Sequence, residues 1–153
     1  VTDPATAADA QLSRYLTERG LKHTRQRTLI VETFVRGGGH LSVDEIVSTV
    51  KQQDARVSVA TVYRTMKLLA ECGVASALDF GDGQVRYEPA AGRHHHDHLV
   101  CTGCGQVVEF ENDRIEALQR VVAKRHGFAV TSHRMELYGT CHACQASGRA
   151  PPS

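Results

Sequence analysis

The sequence has almost no charge of one sign to spare. Its 18 lysines and arginines stand against 17 aspartates and glutamates, a formal net charge of +1. No bulk basic field attracts a polyanion, so any nucleic-acid reading must rest on local features. No apolar run is long enough to cross a bilayer and no secretory h-region is present, so a cytoplasmic location with no membrane partner is expected. The H-x-E…P-C-x-x-C pattern of zinc deaminases is also missing. Cysteine is sparse but unevenly placed. Of five, four fall in Cys-x-x-Cys pairs, Cys101 with Cys104 and Cys141 with Cys144, and Cys72 stands alone. A reducing compartment disfavours a disulfide framework, whereas paired Cys-x-x-Cys motifs are a strong zinc signal. Four thiolates would close a structural zinc to any substrate, so no enzyme and no small organic substrate is expected. Cys72 reads as a small, half-buried apolar residue.

What the chain does have is concentrated in residues 94–109, HHHDHLVCTGCGQVVE. If this run is extended, the two-residue period puts His96 and His98 on one face and His95 and Asp97 on the other. One short segment then supplies ligands to two metal sites, back to back. Glu88 and Glu109 flank the run, and His40 lies in a loop well before it. A set of imidazoles and carboxylates without sulfur suits Fe(II), Mn(II) or Zn(II). On the opposite face, Glu116 and His133 are candidates to join His95 and Asp97. The competing reading of each lone histidine or glutamate is an ordinary surface residue, and that of the histidine run is a solvated linker.

The organisation along the chain follows from caps and periodicity. Residues 1–9 are small and polar and are expected to be disordered. A helix is predicted over residues 9–19, with Leu12, Tyr15 and Leu16 as its stripe and Gly20 as its stop. Thr24 caps a second helix, with Leu29, Ile30 and Phe34 inward, and Gly37, Gly38 and Gly39 break it. Ser42 and Glu45 form a capping box ahead of Val43, Ile46, Val47 and Val50. Ser58 caps a fourth helix to about residue 71, with Val59, Val62, Met66 and Leu69 on one face. Thr61, Arg64 and Lys67 look outward from it, with Tyr63 at the border. Strand-like runs at 74–80 and 84–88 flank a Gly81-Asp82-Gly83 turn. Helices followed by a hairpin spell a winged helix-turn-helix over residues 10–88, with the fourth helix as the recognition helix. Arginine suits a bidentate contact with guanine, and tyrosine packs against a thymine methyl. Lys22, Arg25 and Arg27 are placed to hold phosphate or enter the minor groove. A merely soluble surface is the plain alternative for each.

Residues 89–93, PAAGR, read as a hinge. The second half, 94–145, is predicted to hold strands at 99–100 and 107–110 and a helix to about residue 126, boxed by Asp113 and Glu116. Ile115, Leu118, Val121 and Val122 form that helix's expected buried stripe, and a strand over 128–138 follows. The tail, 146–153, is expected to be disordered. This half is too small for a generous core, so a zinc staple and a dimer interface are expected to supply the rest. The predicted fold class is α+β: an N-terminal winged helix-turn-helix domain followed by a small α/β dimerisation domain with a four-cysteine zinc site.

Over residues 10–145 the chain resembles the ferric uptake regulator (Fur) family. The matching motifs are GLKHTRQR at 20–27, VSVATVYRTMKLL at 57–69, HHHDHLVCTGCG at 94–105, VVEF at 107–110 and YGTCHAC at 138–144. The resemblance implies a homodimer that represses genes by binding an AT-rich inverted repeat in double-stranded DNA when metal-loaded. It implies a DNA face of Lys22, Arg27, Thr61, Tyr63 and Arg64, with Tyr63 and Arg64 reading bases and Lys22 reaching the minor groove. It implies structural Zn(II) on Cys101, Cys104, Cys141 and Cys144 and a regulatory site on His40, Glu88, His96, His98 and Glu109. It implies an additional site on His95, Asp97, Glu116 and His133. Fe(II) is the expected regulatory metal, with Mn(II) or Zn(II) able to substitute. One extra residue separates Glu88 from the histidine run compared with common members. Zinc-sensing relatives place a cysteine near that point, and peroxide-sensing relatives tend to place aspartates where this chain has Glu88 and Glu109. Both departures favour an iron sensor. The alternatives are a peroxide-, manganese- or zinc-sensing member, or a zinc-stapled interaction module without DNA binding.

Overall fold

The computed structural model describes residues 2–90 and 95–149. The chain divides into two units, Val1–Arg93 and His94–Ser153.

The first unit runs α1 (Pro4–Glu18), α2 (Arg25–Gly37), β1 (Leu41–Ser42), α3 (Val43–Gln53), α4 (Val59–Glu71), β2 (Ala75–Asp79) and β3 (Val85–Pro89). Each helix begins where a side-chain oxygen accepts a backbone N–H that the helix cannot satisfy: Asp3, Thr24, Ser42 and Ser58. Each such cap contributes about 1 kcal/mol. Ser42 and Glu45 complete the capping box in both directions. The apolar stripes converge on one core that includes Leu12, Leu16, Ile30, Phe34, Ile46 and Met66. The hairpin of β2 and β3 forms the wing, and β1 adds an antiparallel third strand, in the order β1-β3-β2. This is a winged helix-turn-helix, with α4 in the recognition position.

Three expectations shift in this unit. The first helix does not wait for residue 9: Asp3 caps it, proline occupies its first turn, and Ala5 is buried. Val59, expected on the buried face of α4, is 41% exposed. It is the first helical residue after the cap, and only from Val62 onward does the stripe reach the core. The hinge does not begin at Pro89, which closes β3 opposite Ala75, and Ala90 still donates its N–H to the Val74 carbonyl at 2.9 Å. Residues 91–93 of the expected hinge lie outside the described residues.

The second unit runs β4 (Asp97–Cys101), β5 (Val107–Phe110), α5 (Asp113–Arg125), β6 (Glu136–Gly139) and α6 (His142–Ala146). Its sheet has the order β5-β4-β6, with β4 antiparallel to β5 and parallel to β6. The central strand therefore carries metal-ligand residue types at both ends. Helix α5 is capped by Asn112, whose Oδ1 accepts from the N–H groups of Arg114 and Ile115. Asp113, expected in that role, sits one residue later in the first turn. The strand predicted over 128–138 shrinks to β6, because its pairing with β4 starts only where Glu136 meets His98. The stripe on α5 is not buried: Leu118 is 64% exposed, Val121 52% and Val122 49%. The tail is ordered further than expected, since α6 runs to Ala146 and Arg149 donates its N–H to the Cys144 carbonyl at 3.0 Å. Among the described residues, no helix is long and apolar enough to cross a membrane.

Candidate metal centres and nucleic-acid interface

The four paired cysteines meet as their spacing predicted. One end of β4 brings Cys101, the turn after it Cys104, and the start of α6 Cys141 and Cys144, with all four Sγ atoms within 4.8 Å of one another. Cys104 and Cys141 Sγ lie 3.8 Å apart. The Cys141 N–H donates to Cys101 Sγ at 3.2 Å. That bond, with N–H groups of Cys104 and Gly103, holds the Cys101 thiol at about 6, well below the usual range. Burial, then hydrogen bonds to the other three sulfurs, pushes Cys144 up to about 12. One sulfur is thus prepared to ionise and one is held as a thiol that a cation would deprotonate. Gly103 leaves room for this: a Cβ there would lie 3.1 Å from Cys144 Sγ. A closed set of four sulfurs fits tetrahedral zinc, and it ties the β4–β5 turn to the C-terminal helix.

A second set lies wholly within the same unit. His95, Asp97, Glu116 and His133 each bring a ligand atom within 4.8 Å of the others. His95 and His133 Nε2 stand 3.4 and 3.8 Å from Asp97 Oδ1, and 3.5 and 3.0 Å from Glu116 Oε1. The two rings meet edge to face with centroids 4.1 Å apart. Asp97 is 1% exposed, yet its Oδ1 and the Nε2 of His133 are buried without a hydrogen bond. Burying polar atoms unsatisfied is costly, and two carboxylates facing the same two imidazoles repel each other. Lone pairs converging on a common point fit a divalent cation. Cys72, by contrast, belongs to neither set: it caps α4, and burial raises its thiol.

The remaining candidates fall in two groups, each assembled in its own unit. In the first, His40 Nε2 lies 3.2 Å from Glu88 Oε2, and the His40 ring also meets Phe80 edge-on. In the second, the His96 and His98 rings are 4.9 Å apart and His96 Nε2 is 3.9 Å from Glu109 Oε1, while Glu109 sits opposite His98 in the β4–β5 register. The alternation expected of the run is present: His96 associates with His98, and His95 with Asp97. His94 lies outside the described residues.

On α4, Tyr63 is half exposed and Arg64 is exposed, in the first two turns after the cap. The Thr61 hydroxyl instead meets the Ser58 hydroxyl at 2.8 Å, reinforcing that cap. Lys22 is exposed in the turn between α1 and α2. Arg27 is turned inward along the chain, its guanidinium donating to the Lys22 carbonyl. Sequence reasoning missed three side chains here. Asp9 and His23 form a hydrogen bond, with Nε2 and Oδ1 2.9 Å apart. Arg86 pairs with Asp82 of the wing turn at 2.7 Å and lies over the Phe80 ring. A β-strand period placing Arg86 on the face of Glu88 was a usable signal for the last; the Asp9–His23 pair spans a turn and left none.

The ferric uptake regulator family model matches residues 18–138. The chain is 40% identical over 141 residues to the ferric uptake regulation protein of Campylobacter jejuni, covering 89% of each chain. Among solved structures, the Helicobacter pylori ferric uptake regulator, described as having three functional metal-binding sites, superposes with a TM-score of 0.85 at 34% identity over 92% of this chain and 93% of that one. The Francisella tularensis regulator, solved with iron, gives 0.75 at 33% identity over 82% and 96%. With most of its length matched in both sequence and fold, the chain belongs to the ferric uptake regulator family.

Proposed function

We propose that the protein is a metal-responsive transcriptional repressor that binds an AT-rich inverted repeat in double-stranded DNA as a homodimer, with Fe(II) as its regulatory metal. One observation carries the reading: a unit that presents a recognition helix also holds His40 and Glu88 together, while the other unit holds His96, His98 and Glu109 together. On this reading the five residues are ligands of one divalent cation, and its binding limits the recognition helices of a dimer to arrangements that keep the half-site spacing. Tyr63 and Arg64 then read bases, and Lys22 reaches phosphate or the minor groove. The oxygen- and nitrogen-only donor set suits Fe(II), Mn(II) or Zn(II); the lack of a cysteine near Glu88, and glutamates rather than aspartates at 88 and 109, favour a sensor of iron. The exposed apolar stripe of α5 supports the dimer, because three large apolar residues left to water on one helix need a partner surface. Cys101, Cys104, Cys141 and Cys144 hold structural zinc, and His95, Asp97, Glu116 and His133 hold an additional ion that bridges nothing beyond their own unit.

Titrating Mn(II) against a labelled palindrome, with the zinc clasp filled, tests the assignment. His98→Ala is expected to stay dimeric, keep its zinc and bind DNA weakly with or without Mn(II). His95→Ala is expected to respond almost as the parent does. A parent protein that binds the palindrome equally well without metal would end the regulatory reading, and a normal response from His98→Ala would exchange the two sites.

A further inference from the structure

The turn that carries Lys22 is held on both sides, and the lysine itself is not. Gly20 turns the chain with a φ of 67°, and Leu21 donates its N–H back to the Leu16 carbonyl at 2.9 Å. His23 Nε2 lies 2.9 Å from Asp9 Oδ1 on α1, with both side chains only a quarter exposed. Thr24 caps α2, and Arg27, in that helix's first turn, donates to the Lys22 carbonyl. The Lys22 ammonium makes no hydrogen bond or ion pair with the described residues and points to solvent. Asp9 on α1 and Arg27 on α2, with His23 and Thr24 of the turn between them, thus hold the backbone of one exposed cation.

We propose that Asp9 and Arg27 are positioning residues for DNA binding: they brace residues 20–24 so that Lys22 meets the duplex from a backbone already ordered. The inference rests on the DNA-binding function proposed above. A turn ordered beforehand does not lose its freedom at the moment of association, so affinity gains without a new contact. Arg27 on this view contributes its fork to the Lys22 carbonyl rather than to phosphate.

The sign of one substitution separates this brace from plain electrostatics. Asp9 is an acid near the DNA-facing turn, and by charge counting its loss would tighten binding to a polyanion. The brace requires the opposite. Asp9→Ala, which removes both the charge and the acceptor, is expected to weaken binding of the Mn(II)-loaded protein to the palindrome by about three- to tenfold, the worth of one partly buried hydrogen-bonded pair. In a Lys22→Ala background the same substitution is expected to cost almost nothing, because the two act as a unit. Unchanged or tighter binding by Asp9→Ala, or losses that add in full, would overturn the proposal. Amide ¹⁵N order parameters of the free protein read the brace without DNA. Residues 22–24 are expected to be as rigid as α1 in the parent and to fall toward about 0.6 in Asp9→Ala, with helical circular dichroism retained. Order parameters unmoved by Asp9→Ala would overturn the brace itself. A rigid turn in a parent protein that does not bind the palindrome would instead overturn the DNA function, and the role of the brace with it.

Discussion

Replacing Asp97 with asparagine should separate the cost of the additional site from its gain. Asp97 is 1% exposed, its Oδ1 has no hydrogen bond, and Glu116 faces the same two histidines. Without a cation the substitution removes one of two neighbouring buried carboxylates, so stability should stay level or rise. With a cation it removes one of four ligands. In a His98→Ala background, where the regulatory set no longer responds to Mn(II), Mn(II) at one hundred times the additional site's dissociation constant stabilises the Asp97 parent by about 2.7 kcal/mol through binding to the folded state alone. Loss of a ligand is expected to weaken the site by at least about a hundredfold, an extension of the 10–100-fold effect of supporting residues. At the same Mn(II) concentration the variant then gains only about 0.4 kcal/mol. At roughly 2–4 °C per kcal/mol, the metal-induced rise in melting temperature should drop from about 5–10 °C to about 1–2 °C. Far-UV circular dichroism melts of zinc-filled protein, with and without Mn(II), measure both arms. A variant that melts lower than the parent without Mn(II), yet keeps the full Mn(II) shift, would show Asp97 to be a structural carboxylate and not a ligand.

Three further outcomes are expected. Arg64→Ala should cost about 1–3 kcal/mol on the cognate repeat and relax base preference at one position per half-site, measured by competition with single-base variants; full affinity with full discrimination would move recognition elsewhere. Zinc-filled native protein should expose a single thiol to an alkylating agent at pH 8, that of Cys72, and it should react slowly because burial raises its pKa and leaves little thiolate; all five cysteines should react after denaturation with a chelator, and several fast thiols in the native state would deny the clasp. Leu118→Glu, at a position 64% exposed in the single chain, should shift the protein from dimer to monomer in sedimentation with the zinc retained, whereas an unchanged dimer would place the interface on another face.

Much of the site could be read before any coordinates because its chemistry is local. Capping oxygens act within three residues, so Thr24, Ser42 and Ser58 mark helix starts in the sequence and in the structure alike. Strand alternation acts over two residues, so the division of His96 and His98 from His95 and Asp97 follows from parity alone. Cys-x-x-Cys spacing brings each pair of sulfurs together without reference to the rest of the chain.

What escaped the sequence depends on partners that are distant along it. The α5 stripe has the period of a buried face, but periodicity specifies amphipathicity and not what covers it; in the single chain those residues face solvent. Residues 128–135 have apolar character, yet a strand exists only where a neighbour supplies the ladder, and β4 pairs no earlier than Glu136. The small polar start of the chain became helical once Asp3 capped it and Ala5 was buried. Arg27 has the residue type of a phosphate ligand, and only the fold turns it back onto the Lys22 carbonyl. By itself the sequence determined the helix caps at Thr24, Ser42 and Ser58, the winged-helix order and the residue types of the candidate metal ligands, because those depend on neighbours within a turn or a strand period. Which carboxylates and histidines meet, which cation is left facing outward, and which apolar face stays uncovered were decided by tertiary structure, because each depends on where segments tens of residues apart come to rest.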